Sequence, residues 1–402
     1  MINSLRLIYH RLVEQVSMDF HRYLFASFNT SNRLTGLIGA RGVGKTTLLL
    51  QFIKEHYPNL NNTIYVSADH IYFERVSLYE FIENLYLTEG VSIFFIDEIH
   101  KYANWNQEIK NLYDGFPNIS IVFSGSSSLD LVKGSYDLSR RAKLYHLAGM
   151  SFREYLNFHA SLQIQPILLT ELLENTQQLD RVFPHINKIK GYFQDFLQNG
   201  FYPFMLEDPL SYYEKLLRVI DKTIYEDIAN FYKLKTENLH HFKKILGFIV
   251  TIPPGKLSIH NLAKNLSIDD KTASNYLTIL HETNLIRLIF ANAKGNQILR
   301  KPEKIFIENT NLHYALSNKI NSILEIGAVR ELFFLQSLCH AEHDVFYSDI
   351  GDFVVHDILF EVGGKNKTRH QVKSQAQAFL VKDDTLISGP QMIPLYYFGF
   401  LY

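Results

Sequence analysis

Two short runs hold the residue types that chemistry would need. The first is Gly39-Ala40-Arg41-Gly42-Val43-Gly44-Lys45-Thr46, which fits the pattern G-x-x-x-x-G-K-[ST]. Glycines let a backbone turn its N–H groups onto phosphate oxygens. A helix that starts at the loop's end adds partial positive charge. A lysine in the position of Lys45 reaches the β- and γ-phosphates, and the hydroxyl of Thr46 can hold Mg²⁺. Thr47 stands next in line. The competing reading is a glycine turn with an incidental Lys-Thr. The apolar run that precedes the loop and the leucine-rich helix that follows it argue against that reading.

The second run is Ile93-Phe94-Phe95-Ile96-Asp97-Glu98. Four apolar residues make a buried strand that ends in two carboxylates. Asp97 is placed to complete a Mg²⁺ shell, and Glu98 to orient or deprotonate an attacking water. An apolar run ending in Asp-Glu is common alone. It is far more specific about 50 residues after a phosphate loop. The bland alternative for Glu98 is a solvated carboxylate.

Such residues need a rigid frame, and the first third of the chain predicts one. Apolar runs at 34–38, 63–67, 91–96, 119–124 and 143–147 read as buried strands. Patterns at 46–56, 77–87 and 105–113 read as helices between them. This alternation predicts a parallel α/β sheet with helices on both faces. Helical periodicity follows at 151–160, 167–174, 188–198, 212–231 and 239–251. A short helix at 259–266, a turn, a longer helix at 271–283, and strands at 285–291 and 304–308 then give the layout of a winged helix-turn-helix. The last stretch predicts a helix through 331–340, strands at 344–347, 352–356 and 358–362, and further α/β structure.

Bulk properties set the limits. The 402 residues exceed what one core usually serves. The expected division is 1–160 for the P-loop domain, 161–236 for a helical lid, 237–310 for the winged helix and 311–402 for a small α/β domain. With 40 Lys+Arg against 41 Asp+Glu, coating nucleic acid by charge alone is excluded. A single cysteine, Cys339, excludes an internal disulfide framework. No run approaches the length of a membrane span and no signal peptide is seen, so the cytoplasm is the expected location and no membrane partner is expected.

Residues 39–46 together with 94–98 resemble the AAA+ ATPases. The continuation Asp97-Glu98-Ile99-His100-Lys101, then Trp105 and Leu112-Tyr113-Asp114, resembles one branch of them. Its members are bacterial and archaeal ATPases with a winged helix and a C-terminal region similar to restriction-endonuclease-like nucleases. Segments 124–128, 138–141, 147–156, 304–309 and 327–335 fit that branch too. The resemblance implies ATP and Mg²⁺ as cofactors; the preference for ATP over GTP rests on it alone. Arg11 and Phe28 are candidates by position for contacting the base. The family also implies a γ-phosphate sensor at Ser124 or Ser126, against the alternative of a serine-rich turn capping a helix. It implies an arginine finger at Arg140 or Arg141, against the alternative of surface arginines. A finger would make a homo-oligomer a candidate assembly. His100 reads as a polar neighbour of the site.

Two further regions carry expectations. Residues 233–304 hold 12 Lys+Arg against five Asp+Glu. DNA is therefore a candidate partner through Lys271, Thr272, Ser274 and Asn275 at the start of the second helix, with Lys294, Arg300 and Lys301 beside the wing. A protein partner is the rival reading. In the C-terminal region Glu331, Asp352 and Glu361 fit the acidic positions of a nuclease site. Gly363 stands where the lysine should be. Lys365, two residues on, is the candidate to replace it, and Gln371 could follow on the next helix. The Gly363-Gly364 pair is expected to break the strand. The domain is read as an inactive nuclease fold kept for binding.

The functional expectation is an ATPase that couples nucleotide state to a winged-helix and nuclease-like module acting on DNA or a nucleoprotein. The alternatives are a slow nucleotide switch that recruits a protein, and a DNA-processing enzyme with a live nuclease.

Overall fold

Leu34-Thr35-Gly36-Leu37-Ile38 is buried along its whole length, as a central parallel strand must be. In the computed structural model, which describes residues 2–125, 140–253, 257–292, 301–368 and 377–402, this is β1 (Leu34–Ile38). The parallel sheet around it adds β2 (Thr63–Ser67), β3 (Ile93–Asp97), β4 (Ser120–Gly125) and β5 (Ala142–His146), in the order β2-β3-β4-β1-β5. The register places Leu37 beside Ser124 and Ser67 beside Asp97. The carboxyl ends of β1, β3 and β4 therefore form one edge, where open α/β sheets bind ligands.

Helices Lys45–His56, Leu78–Glu89 and Trp105–Gly115 connect the strands. Ser77 and Glu80 form a capping box that starts the second of them. A helix at Ile2–Gln15, absent from the sequence-based expectation, buries Leu5, Tyr9 and Val13. Their spacing of four puts them on one face. It packs against the Lys45–His56 helix, whose Lys54 and Gln51 side chains donate to carbonyls of Glu14, Val16, Ser17 and Phe20.

The chain divides into two compact units, residues 1–149 and 150–402. The second opens with helices Phe152–His159, Leu169–Glu174, Ile189–Asn199 and Tyr212–Lys222. The last continues through a widened turn at Thr223–Ile228 into Ala229–Tyr232. Thr236–Thr251, Ile259–Leu266 and Asp270–Glu282 follow. Next come β6 (Ile286–Ile289) and β7 (Lys304–Ile307), paired antiparallel. Helices Thr310–Lys319 and Ile326–His340 lead to a mixed sheet. Its strands are β8 (Phe346–Tyr347), β9 (Phe353–Val355), β10 (Ile358–Gly363), β11 (Ala378–Lys382) and β12 (Met392–Pro394), in the order β12-β11-β10-β9-β8. β10-β11-β12 run parallel, and β8 and β9 are antiparallel neighbours.

Aromatic packing closes this core. Phe334, on the Ile326–His340 helix, meets Phe353, Phe360 and Phe398. Among the described residues, no helix is long and apolar enough to cross a membrane.

Candidate functional site

The loop after β1 turns on glycine. Gly42 and Gly44 have φ of 83° and 97°, a region side chains avoid. Gly44 caps the helix that Lys45 opens. Gly39 is needed for a different reason. A Cβ there would lie 2.3 Å from the carbonyl oxygen of Leu147. Val43 is buried under the loop, while Gly42, Thr46 and Thr47 face solvent and Ala40 and Arg41 are half-exposed. The loop thus presents Gly42 and the two threonines outward while anchoring itself below through Gly39 and Val43.

Lys45 is buried, and its ammonium donates to the carbonyls of Gly39 (2.9 Å) and Ala40 (3.0 Å). The lysine thus spans the cradle that a phosphate would fill. Thr46 Oγ1 donates to Asp97 Oδ2 at 2.6 Å. A hydroxyl and a carboxylate this close form a hard-oxygen pair suited to Mg²⁺, which usually takes one or two protein oxygens and fills its shell with phosphate and water. The residues present fit such an ion.

Asp97 is almost fully buried, and each of its oxygens has two donors. Oδ2 accepts from Thr46 and from the hydroxyl of Tyr65 at 2.7 Å. Oδ1 accepts from Ser124 Oγ in a short bond and from the Glu98 N–H at 3.1 Å. Burial and the adjacent Asp97 carboxylate raise the Tyr65 pKa, so its hydroxyl stays protonated and donates. Ser124 is fully buried and serves Asp97, and Ser126 lies outside the described residues.

Glu98 has left-handed backbone angles, φ 52° and ψ 38°. For a non-glycine residue this costs on the order of 1 kcal/mol, and such strain gathers at functional sites. Its carboxylate lies 3.4 Å from His100 Nε2. Arg141 pairs with Asp114 at 3.2 Å and lies over the Tyr113 ring, while Arg140 is exposed.

Two contributors were invisible in sequence. Tyr65 comes from β2, with no motif around it. Arg22, buried in the segment before β1, donates to the carbonyl of Val43 in a short bond and to that of Ala148 at 2.7 Å. It clamps the loop from below. The expectation for Phe28 is corrected: it is 4% exposed and packs on Phe52 and Tyr145, so it belongs to the core and cannot stack on a base. Arg11 is exposed on the first helix.

On the second helix of the helix–turn–helix layout, Lys271 and Asn275 are exposed. Thr272 is committed to the cap: its N–H and hydroxyl donate to Asp269 at 2.9 and 2.6 Å. Ser274 lines a cavity of about 240 Å³ with Leu277, Leu288, Phe290 and Lys301. Asp269 and Asp270 put negative charge at this helix start, which disfavours phosphate there. Lys294, Arg300 and Gln371 lie outside the described residues.

In the C-terminal sheet Glu331 and Asp352 do converge, and the lysine there is not Lys365. Lys304 Nζ, from β7, lies 2.8 Å from Glu331 and 3.2 Å from Asp352. Glu361 pairs with Lys367 at 2.5 Å. β10 runs through Gly363 and then turns, which leaves Lys365 exposed on the turn and swings Lys367 back to Glu361. The strand ends at Gly363, so the Gly363-Gly364 pair breaks it as expected. Burial, then the neighbouring Asp352, raise the Glu331 pKa. Burial opposes the charge on Lys304, but Glu331 and Asp352 outweigh it and raise its pKa.

Comparison with known proteins agrees with the loop and sheet. Residues 31–156 match the family model described as an AAA domain, so this part of the chain is an AAA-type P-loop ATPase domain, which implies ATP and Mg²⁺. Residues 190–322 match a domain of unknown function, DUF8612. Uncharacterized protein MJ1637 of Methanocaldococcus jannaschii is 28% identical over 396 residues, covering 90% of this chain and 83% of its own length. Among solved structures, AMPPCP-bound DnaA from Aquifex aeolicus aligns over 70% of this chain and 88% of its own at 16% identity, with a TM-score of 0.26. PCH-2 of C. elegans aligns over 69% of this chain and 67% of its own at 15% identity, with a TM-score of 0.25. Likenesses at these TM-scores carry no argument.

Proposed function

We propose that this chain is a Mg²⁺-dependent ATPase whose nucleotide state is coupled to a winged-helix and nuclease-like module acting on DNA or a nucleoprotein. The observation that carries the ATPase reading is the meeting of Thr46 Oγ1 and Asp97 Oδ2 at 2.6 Å, beside a glycine loop whose lysine is held across it. The loop N–H groups and the start of the Lys45–His56 helix bind the phosphates. Lys45 exchanges its bonds to the Gly39 and Ala40 carbonyls for phosphate oxygens. Thr46 and Asp97 would hold Mg²⁺, which supplies charge neutralisation at the β- and γ-phosphates. Glu98 orients the attacking water and accepts its proton.

Nucleotide binding and phosphate release test this reading. Lys45→Ala should lose binding. Glu98→Gln should keep binding and lose about 10²–10⁴-fold in turnover. Normal hydrolysis by Glu98→Gln would refute the role given to Glu98. A second reading, a slow switch that recruits a protein, is favoured by the Glu98–His100 pair, which engages the general base. Turnover with and without DNA separates the two. The DNA reading rests on the basic excess of residues 233–304 and on exposed Lys271 and Asn275. A gel shift that weakens as salt rises supports it, and salt-independent or absent binding rejects it.

A further inference from the structure

Strand β6 does not end its pairing at Ile289. One residue on, the Phe290 carbonyl accepts the Tyr347 N–H at 2.8 Å, and Ala291 forms a parallel bridge to Tyr347. Tyr347 belongs to β8, whose other side is paired with β9. The strand pair after the helix–turn–helix layout and the mixed sheet are therefore joined, in the order β7-β6-β8-β9-β10-β11-β12. Without this seam β8 would be an edge strand of two residues with unpaired backbone groups.

Side chains alternate across β6, and each face serves a different neighbour. Ile286 and Leu288 are buried on one face, and Leu288 lines the same cavity as Leu277 of the Asp270–Glu282 helix. Arg287 and Ile289 take the other face, beside Phe306 and Lys304 of β7. That face turns to the Ile326–His340 helix and to β9. Arg287 donates to Glu308 in a short bond and to His340 Nε2 at 2.6 Å. Lys304 reaches Glu331 at 2.8 Å, and the Phe306 ring lies 6.2 Å from that of Phe353. The helix–turn–helix and the C-terminal region thus share a strand, whereas separable domains are joined by a linker that few contacts cross.

We propose that β6 makes the helix–turn–helix and the mixed sheet one mechanical body, with the Tyr347–Phe290 seam as its joint. A partner held by the Asp270–Glu282 helix then stays at a fixed position relative to β8–β12. On the coupling proposed above, movement driven by nucleotide carries both together and does not swing one on the other. A hinge needs a few residues free to absorb a change of backbone angles. Residues 286–291 are held by β7 along one edge, by Tyr347 at the end of the other, and by packing on both faces, so they do not absorb such a change.

Hydrogen exchange of the nucleotide-free, full-length chain, read by mass spectrometry, tests this. In wild type the amides of Ile286–Ile289 and of Phe353–Val355 should show protection equal within about threefold, because one opening exposes both. Tyr347→Pro removes the N–H that Phe290 accepts. It should speed exchange of Ile286–Ile289 and Lys304–Ile307 by roughly tenfold or more, and leave Ile358–Gly363 and Ala378–Lys382 unchanged. Tyr347→Ala keeps the N–H and should leave both groups near wild type. Wild-type Ile286–Ile289 amides that exchange about tenfold faster than Phe353–Val355 would overturn the proposal, since the two sheets then open separately. So would a folded Tyr347→Pro with unchanged exchange at Ile286–Ile289, or a Tyr347→Ala that matches Tyr347→Pro. If Tyr347→Pro does not fold, the wild-type comparison still decides. None of these arms touches the phosphate loop or requires DNA, so failure here is distinct from failure of the proposed function.

Discussion

Asp97 has four hydrogen-bond donors, and they are not equivalent. Thr46 would hold a Mg²⁺ through its oxygen lone pair while its proton still points to Asp97 Oδ2, whereas Tyr65 would serve only to keep that oxygen in place. Tyr65 is a positioning residue, as are the partners of ligating carboxylates elsewhere. Tyr65→Phe should therefore raise the Mg²⁺ concentration for half-maximal nucleotide binding by roughly 10-fold or more. Binding measured without metal should be unchanged. An unaltered Mg²⁺ requirement would remove Tyr65 from the site. The loop lysine and the Asp97-Glu98 pair were legible in sequence because neighbouring residues carry the whole pattern. Tyr65, Arg22 and Lys304 were not, because each reaches its partner from another part of the chain. Lys367 was missed for a local reason: the spacing rule for an ideal strand selected Lys365, and one turn after Gly363 selected Lys367 instead.

Elements fix how far the loop can move. Gly39 sits against the Leu147 carbonyl just beyond β5, and backbone cannot retreat as a side chain tip would. Gly39→Ala should cost about 1–3 kcal/mol, seen as a lower midpoint in thermal or urea unfolding, and should weaken nucleotide binding. The capping box at Ser77 gives a contrasting case. Ser77→Ala removes one cap bond on a helix that touches no ligand, so it should cost about 1 kcal/mol and leave nucleotide binding intact. The strands of the parallel sheet were readable because burial on both faces writes them as apolar runs. The first helix was not, because exposed apolar residues such as Leu7 and Ile8 lie between Leu5, Tyr9 and Val13 and blur the buried stripe. The short β8 and β9 came out shorter than the runs that announced them, since pairing with a neighbour sets their ends.

The second unit as a whole carries a pH dependence through His313. This residue lies buried in the Thr310–Lys319 helix, and burial lowers its pKa from 6.5 to about 4. The folded state thus holds fewer protons there than the unfolded chain between those values. Stability is full above pH 6.5, falls as the pH drops, and levels off below about 4. The loss attributable to this group is on the order of 3 kcal/mol. Urea unfolding of wild type and His313→Leu at pH 7 and pH 5 checks this. The variant should lose less stability than wild type between the two values, and parallel losses would assign the acid sensitivity elsewhere.

Residues near 400 are deep in the core of the second unit. Arg153 Nε donates to the Tyr402 carbonyl at 2.8 Å, and the Phe183 and Phe400 rings stack at 3.9 Å. The residues that open this unit thus wait for those made some 250 positions later. During synthesis at roughly 5–20 residues per second, that gap leaves the Phe152–His159 helix without its final partners for tens of seconds. Residues 1–149 need nothing from beyond Gly149 to complete their five-stranded sheet. Ribosome-bound chains arrested near residue 250 should therefore carry a protease-resistant nucleotide domain followed by a segment open to cleavage. The second unit is a client for chaperones over that interval, and the first is not.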